Sequence, residues 1–422
     1  MNIPQLDSTY IANTYARFPV TIARGKGSLV WDADDKVYID MATGIAVNSF
    51  GIADPAWIRA VTEQLCTVQH ASNLYYTAPD AQLAQLLCEK TGMKKVFFGN
   101  SGAEANECAI KAARKYAADH KGPEYSTIIT LKNSFHGRTI TTLAATGQDV
   151  FHHDFLPLTD GFVYAEPNDL ADLARLIAEN KCAAVMMEVV QGEGGVMPLD
   201  EAYVKGAAKL CQENDLLLIC DEVQIGNGRS GMLYGYMAYG VQPDITTFAK
   251  ALGGGASISL VGGKAKVMDI CSPGGIVGVS GTYSGNQLGV YAANACVSMA
   301  LEDGFYDHIE AFGSKLFSGM EDLMKKHGLP GHVSSLGARF AIYWGYEYRE
   351  IDYDLRASQK LFRRDLANAF INGALDRGLY FHSYWNANIP SHCGFSVQHT
   401  LADADITLEK MDAVMADMKK LL

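Results

Sequence analysis

A chain of 422 residues, 48% hydrophobic and 19% charged, exceeds the size at which one core keeps growing, so two unequal domains are expected. Its 47 acidic residues outnumber 35 basic ones, giving a net charge of −12 spread along the whole chain, which offers no basic stripe to nucleic acid or to an anionic membrane. Nine cysteines, odd in number and never spaced Cys-x-x-Cys, fit neither a disulfide framework nor a zinc site, and point to a reducing cytoplasm and to no bound metal.

The opening residues Met1 to Asp7 lack a charged stretch followed by an apolar one, and no segment approaches the roughly 20 apolar residues of a membrane span, so a soluble, unexported protein is expected. Residues 1–50 read as an N-terminal arm with a hairpin over 29–40, where Leu29-Val30-Trp31 and Lys36-Val37-Tyr38-Ile39 flank an acidic turn. Over 51–305, helical patterns alternate with short apolar or β-branched runs at 95–98, 126–130, 183–187, 216–220 and 245–248. Runs of this kind suit strands buried on both faces, which predicts a large α/β domain with a mostly parallel sheet. Past a helical stretch near 290–303 the texture changes. Residues 306–422 read as a smaller α+β C-terminal domain, with short strands at 338–344, 379–381 and 395–397 and a helix over 357–377.

Three strand ends carry chemistry. After Lys95-Val96-Phe97-Phe98 comes Gly99-Asn100-Ser101-Gly102-Ala103, opening a helix that runs through Tyr116. A glycine-containing helix start offers free N–H groups and a positive dipole end to an anion such as phosphate; an ordinary helix capped by Ser101 is the plainer alternative. The apolar run 216–220 ends in Asp221-Glu222. A carboxylate there is costly unless it meets a cation or a protonated ring nitrogen, although an acid that caps the next helix would look the same. Finally, Ile245-Thr246-Thr247-Phe248-Ala249 leads into Lys250 and then Gly253-Gly254-Gly255. Most lysines are solvated surface groups, but one at a buried strand end can be a desolvated nucleophilic amine. Together, an anion-binding helix start, an acid and a lysine match the phosphate, the ring nitrogen and the aldehyde of pyridoxal phosphate.

Five blocks, in order, extend this pattern: Asn100 to Glu107, Ser134-Phe135-His136-Gly137-Arg138-Thr139, Glu188 to Gly195, Asp221 to Arg229, and Ala249 to Gly255. They resemble the signature blocks of the class III, fold-type I pyridoxal-phosphate aminotransferases across nearly the whole chain. The resemblance implies that Lys250 carries the cofactor as a Schiff base and acts as general base and acid, with Asp221 as the partner of the pyridinium nitrogen. It places Ser101, Gly102 and Ala103 at the phosphate, Gln224 near the ring hydroxyl, Phe135 over one ring face, and Glu188 among the cofactor-binding positions. Tyr15, Arg138 and Glu193 become substrate contacts, Arg138 toward a carboxylate. Thr282, in Gly281-Thr282-Tyr283-Ser284-Gly285-Asn286, matches a threonine that reaches the phosphate of a neighbouring subunit, which implies a homodimer with shared sites. His136 reads best as a structural histidine holding its loop.

The two halves resemble different subgroups. Asn13-Thr14-Tyr15-Ala16-Arg17-Phe18-Pro19-Val20, Gly25-Lys26-Gly27-Ser28 and His70 to Tyr76 are similar to acetylornithine aminotransferases, which implies an N-acylated ω-amine and 2-oxoglutarate as substrates. The stretch 281–286 and the closing Gly394 to Asp405 look more like glutamate-1-semialdehyde aminomutases and β-amino-acid transaminases. In the acetylornithine group an arginine stands where Gly394 stands here, so another arginine, such as Arg24 or Arg339, serves the carboxylate, or the substrate lacks one there. A transaminase acting on an ω-amino or β-amino compound and a keto acid is the leading expectation. An aminomutase or epimerase, which turns over without added keto acid, is the alternative. A non-catalytic interaction protein on an aminotransferase scaffold is a third, disfavoured by the intact set of cofactor residues.

Overall fold

The computed structural model describes residues 2–269, 279–345, 359–383, 390 and 392–422, so Cys271 and the first residues of the helix expected over 357–377 lie outside the described residues. The chain forms two compact units: residues 55–306, and residues 1–54 together with 307–422. The N-terminal segment, expected as an arm, thus shares a unit with the C-terminal part of the chain.

The 55–306 unit is built on a seven-stranded sheet whose strands lie in the order 95–99, 259–263, 245–248, 217–221, 182–187, 127–131, 162–165. Four of the six pairings are parallel, and Ser259–Gly263 runs antiparallel to both of its neighbours. The four central strands, from 259–263 to 182–187, are buried at every position, which is why 182–187, 217–221 and 245–248 read as continuous runs rather than as alternation. Ser-Leu-Val-Gly-Gly gave little strand signal because glycine is depleted in strands. Gly262 and Gly263 leave room for Met93 and the Asp244 carbonyl, which a Cβ would meet at 1.9 and 2.6 Å. The helix Gly102–His120 packs its alanine-rich face on this sheet. The strands 217–221 and 245–248 run side by side and end together, Asp221 standing opposite Thr247. In sheets of this kind, ligands collect beyond the carboxyl ends.

The other unit carries two small sheets. Strands 22–26, 29–32 and 37–40 form an antiparallel ladder that Leu379–Tyr380 joins in parallel, so the expected hairpin is present with a further strand on each side. Strands 331–336, 339–344 and 392–394 make the second, antiparallel sheet. The strand expected at 395–397 lies three residues earlier, at His392–Gly394. From Phe395 onward the chain turns, because Ser396 is tied through its N–H and its hydroxyl to His399 Nδ1 at 3.1 and 2.9 Å. The helix expected to 377 runs from Arg364 to Asp376. Phe312, Phe317, Phe340, Phe370, Phe381 and Phe395 form the aromatic core. Four successive residues, Thr43 to Ala46, have φ of 51, 59, 61 and 65°, a left-handed turn held at its start by Asp40 Oδ1, which accepts from the N–H of Ala42 and Thr43. No helix among the described residues is long and apolar enough to cross a membrane.

Candidate active site

Asp221 ends a strand inside the larger unit and is 3% exposed. Its carboxylate accepts four hydrogen bonds: from Asn106 Nδ2 (2.7 Å) and His136 Nδ1 (2.8 Å) on Oδ2, and from Val223 N (3.0 Å) and Thr247 Oγ1 (3.4 Å) on Oδ1. Donors of this kind meet the requirement for compensating a buried carboxylate. Asn106 also donates to His136 O at 2.7 Å, so helix, loop and strand end are tied at one point. His136, expected to hold its loop, is buried and ties that loop to Asp221 through its ring. Asn106 had no assigned role. A signal was available, since Gly102 and Asn106 share a helix face at i and i+4, where a polar residue among Ala105, Cys108 and Ala109 calls for a partner.

Lys250 follows the neighbouring strand and opens a short 3-10 turn with φ +50°, a left-handed conformation that a side chain with a Cβ adopts at a cost. The helix start lies against both strand ends: a Cβ on Gly102 would stand 2.8 Å from Val223 Cγ1 and 3.6 Å from Ala249 Cβ. Ser101 caps this helix. Its hydroxyl accepts from Glu104 N (3.3 Å) and its carbonyl from Ala105 N (3.0 Å), which leaves the N–H groups of Gly102 and Ala103 to an outside acceptor.

The loop 133–138 closes one side. Gly137, at φ +141°, approaches Ala103, whose Cβ would lie 3.1 Å from a Cβ built there. Phe135 N donates to Glu188 Oε2 at 2.9 Å. Burial pushes the Glu188 carboxyl well above the usual carboxylate range, and the charge of Asp221 pushes it further. Gln224 is buried, and a Cβ on Gly192 would stand 2.2 Å from its Oε1. Glu222, beside Asp221, accepts from Gly235 N and Tyr236 N at 2.8 Å each, yet burial raises its carboxyl to about 7. Ser101, Gly102, Ala103, Phe135, Glu188, Asp221, Gln224 and Lys250 are thus brought together in one unit.

Other expected site residues differ in setting. Glu193 is buried, whereas Arg138 and Thr282 are exposed on the same unit. Tyr15 belongs to the other unit, where it is exposed. That unit also holds Arg24, paired with Asp35 at 2.5 Å and stacked over Trp31. Arg339 there is buried, faces Gly394 across the strand ladder, and has Nη2 2.8 Å from His392 Nδ1.

The arrangement fits pyridoxal phosphate on its own terms. Two uncommitted helix-start amides suit a phosphate, glycine at 102 keeps that cradle open, the buried and hydrogen-bonded carboxylate of Asp221 suits a protonated ring nitrogen, and Lys250 offers an amine for the aldehyde.

Comparison with known proteins agrees. The family model for "Aminotransferase class-III" matches residues 10–415. The chain is 47% identical over 338 residues to an acetylornithine aminotransferase of Haemophilus ducreyi, covering 80% of this chain and 85% of that one. It is 42% identical to the corresponding protein of Methanocaldococcus jannaschii, covering 79% and 82%. Among solved structures it is similar to the ornithine aminotransferase of Toxoplasma gondii (TM-score 0.89, 26% identity, 99% and 95% covered) and to the N-acetylornithine aminotransferase of Stenotrophomonas maltophilia (TM-score 0.79, 29%, 99% and 100%). The chain belongs to the class III aminotransferases, has their fold-type I architecture, and is a pyridoxal-phosphate-dependent transaminase.

Proposed function

We propose that this class III aminotransferase moves the amino group of an ω-amino or β-amino compound, N-acetylornithine first among them, to a 2-oxo acid such as 2-oxoglutarate. What supports the reading is the meeting of Asp221, Lys250 and the Ser101 helix start, together with the 47% identity to a protein named for that substrate.

Pyridoxal phosphate, when bound, supplies an aldehyde that takes up the amino group and an electron-poor ring that spreads the charge left when a C–H proton departs. The rest falls to the chain's own residues. Gly102 and Ala103 would offer their N–H groups to the phosphate, with the Ser101 hydroxyl beside them. Asp221, fixed by Asn106 and His136, holds the proton on the ring nitrogen. Gln224 approaches the ring hydroxyl, and Phe135, steadied by Glu188, covers one face. Lys250 Nζ would hold the cofactor at rest and, once freed, would serve as the base and acid that moves the proton of the amine-bearing carbon. Arg138 meets a substrate carboxylate, and Glu193 makes a further substrate contact.

The working enzyme is a cytoplasmic homodimer in which Thr282 reaches the phosphate of the partner's site. Exposed Leu74, Tyr75, Tyr76 and Tyr283 near that turn support an interface there, and the eight described cysteines, all free thiols, support a reducing compartment. The test is a panel of amines and keto acids scored by conversion of the cofactor's visible absorbance. Acetylornithine with 2-oxoglutarate should turn over continuously, and acetylornithine alone should stop after one equivalent. Continued turnover of a single substrate without any keto acid would instead identify a mutase or epimerase.

A further inference from the structure

Two loops of the 55–306 unit are fastened to each other beside the strand ends. Asn133 N donates to Gly147 O (2.8 Å), Gly147 N to Ser134 Oγ (3.1 Å), and the buried Gln148 amide to Asn133 O and Ser134 O at 3.2 and 3.1 Å. The second loop continues into the turn Asp149–Phe151. Its far end is pinned by the buried His152, whose Nε2 lies 3.0 Å from Leu143 O and 2.9 Å from Thr146 O. These bonds set Phe135 and Phe151 edge to face, their centroids 5.8 Å apart. Over both lies the guanidinium of Arg138, its central carbon 5.5 Å from the Phe135 centroid and 4.3 Å from that of Phe151.

An exposed arginine ordinarily gives up rotamer freedom whenever it grips a ligand. A guanidinium resting on an aromatic face has part of that ordering done in advance, and its N–H fork stays available in the plane for a bidentate carboxylate. Phe151 is the nearer ring, and neither loop has to move to present it. We propose that Phe151 is a positioning residue for the substrate carboxylate, holding the Arg138 guanidinium oriented before the substrate arrives. The inference rests on the reading of Arg138 as a substrate contact. It predicts selectivity: carboxylate-bearing substrates gain from the ring at 151, and amines without a carboxylate do not.

The test uses the holoenzyme. F151L keeps an apolar side chain and removes the π face; F151Y keeps the face. With 2-oxoglutarate as acceptor, F151L is expected to raise KM about 3- to 5-fold with kcat nearly unchanged, since exposed cation–π contacts are of that size, and F151Y is expected to restore KM. The half-reaction with a carboxylate-free amine should be unaltered, and in an R138Q background F151L should add no further change in KM. A KM effect of F151L that persists in R138Q, or that is equal for the carboxylate-free amine, overturns the positioning role. R138Q raising KM while F151L does not overturns it alone and leaves Arg138 in place. R138Q without effect on KM removes Arg138 as a substrate contact, and the role of Phe151 with it.

Discussion

Asp221 and Arg138 are charged residues of the same unit, and their surroundings differ in what restrains them. Asp221 is buried and receives donors from a helix, a loop, its own chain and the adjoining strand. Arg138 is exposed and lies against two rings. The first is over-determined, so that no single donor sets its position; the second is steered by stacking alone among the contacts described above, and stacking tolerates sliding. On the proposed reading, the floor of the site would impose one geometry on the cofactor ring, whereas the rim would adjust to different substrates.

Substitutions should break this contrast in a graded way. At the floor, Lys250→Ala is expected to abolish the visible band of the lysine-bound cofactor and to lower turnover by about 10,000-fold, the upper range for a lost general base; near-normal turnover would remove Lys250 from its role. Asp221→Ala should retain some cofactor binding yet lose roughly 1,000-fold in the half-reaction rate, as for other preorganised electrostatic partners. Turnover equal to that of the unaltered enzyme would strike Asp221 from the mechanism.

Glu222 tests whether the floor's burial carries a cost. Its folded-state value of about 7 lies above the unfolded carboxylate value of 4.5, so its contribution favours the fold below about pH 4.5 and is lost as pH rises through 7. The loss approaches about 3 kcal/mol at most. Denaturant melts at pH 5.5 and 8 should show this decline in the native chain, and Glu222→Gln should flatten it; an unchanged slope would mean that Glu222 does not titrate there. At the floor, the smallest effect on rate is expected at His136→Phe, which removes one of four donors to Asp221. A charge-assisted hydrogen bond of about 1.5–3 kcal/mol corresponds to roughly 10- to 100-fold, and the redundancy around Asp221 places the loss in the half-reaction rate at about 10-fold. A loss as large as that of Asp221→Ala would show that the network has no redundancy.

How far this was legible in the sequence follows the same division. Asp221 and Lys250 stand at the ends of buried runs, one leucine-rich and one β-branched, and such runs announce themselves whatever surrounds them. The strand Ser259–Gly263, between two strands legible as apolar runs, carries little strand signal because its glycines answer to Met93 and Asp244 rather than to strand propensity. The role of Asn106 is hidden from any local pattern, since its partner lies 115 positions away. The shift of a strand from 395–397 to His392–Gly394 has a local cause, the His399 ring that bends the chain at Ser396. Phe151 bears on Arg138 through loop-to-loop hydrogen bonds of Gln148, which no periodicity records.

The left-handed backbone of Lys250 has a consequence for engineering. Glycine occupies that conformation without the roughly 1–2 kcal/mol that any residue with a Cβ incurs, so Lys250→Gly relieves strain while it deletes the amine. A library of this protein ranked by melting temperature alone would therefore reward a change at the one position its chemistry cannot spare, and thermostability screens need an activity gate from the first round.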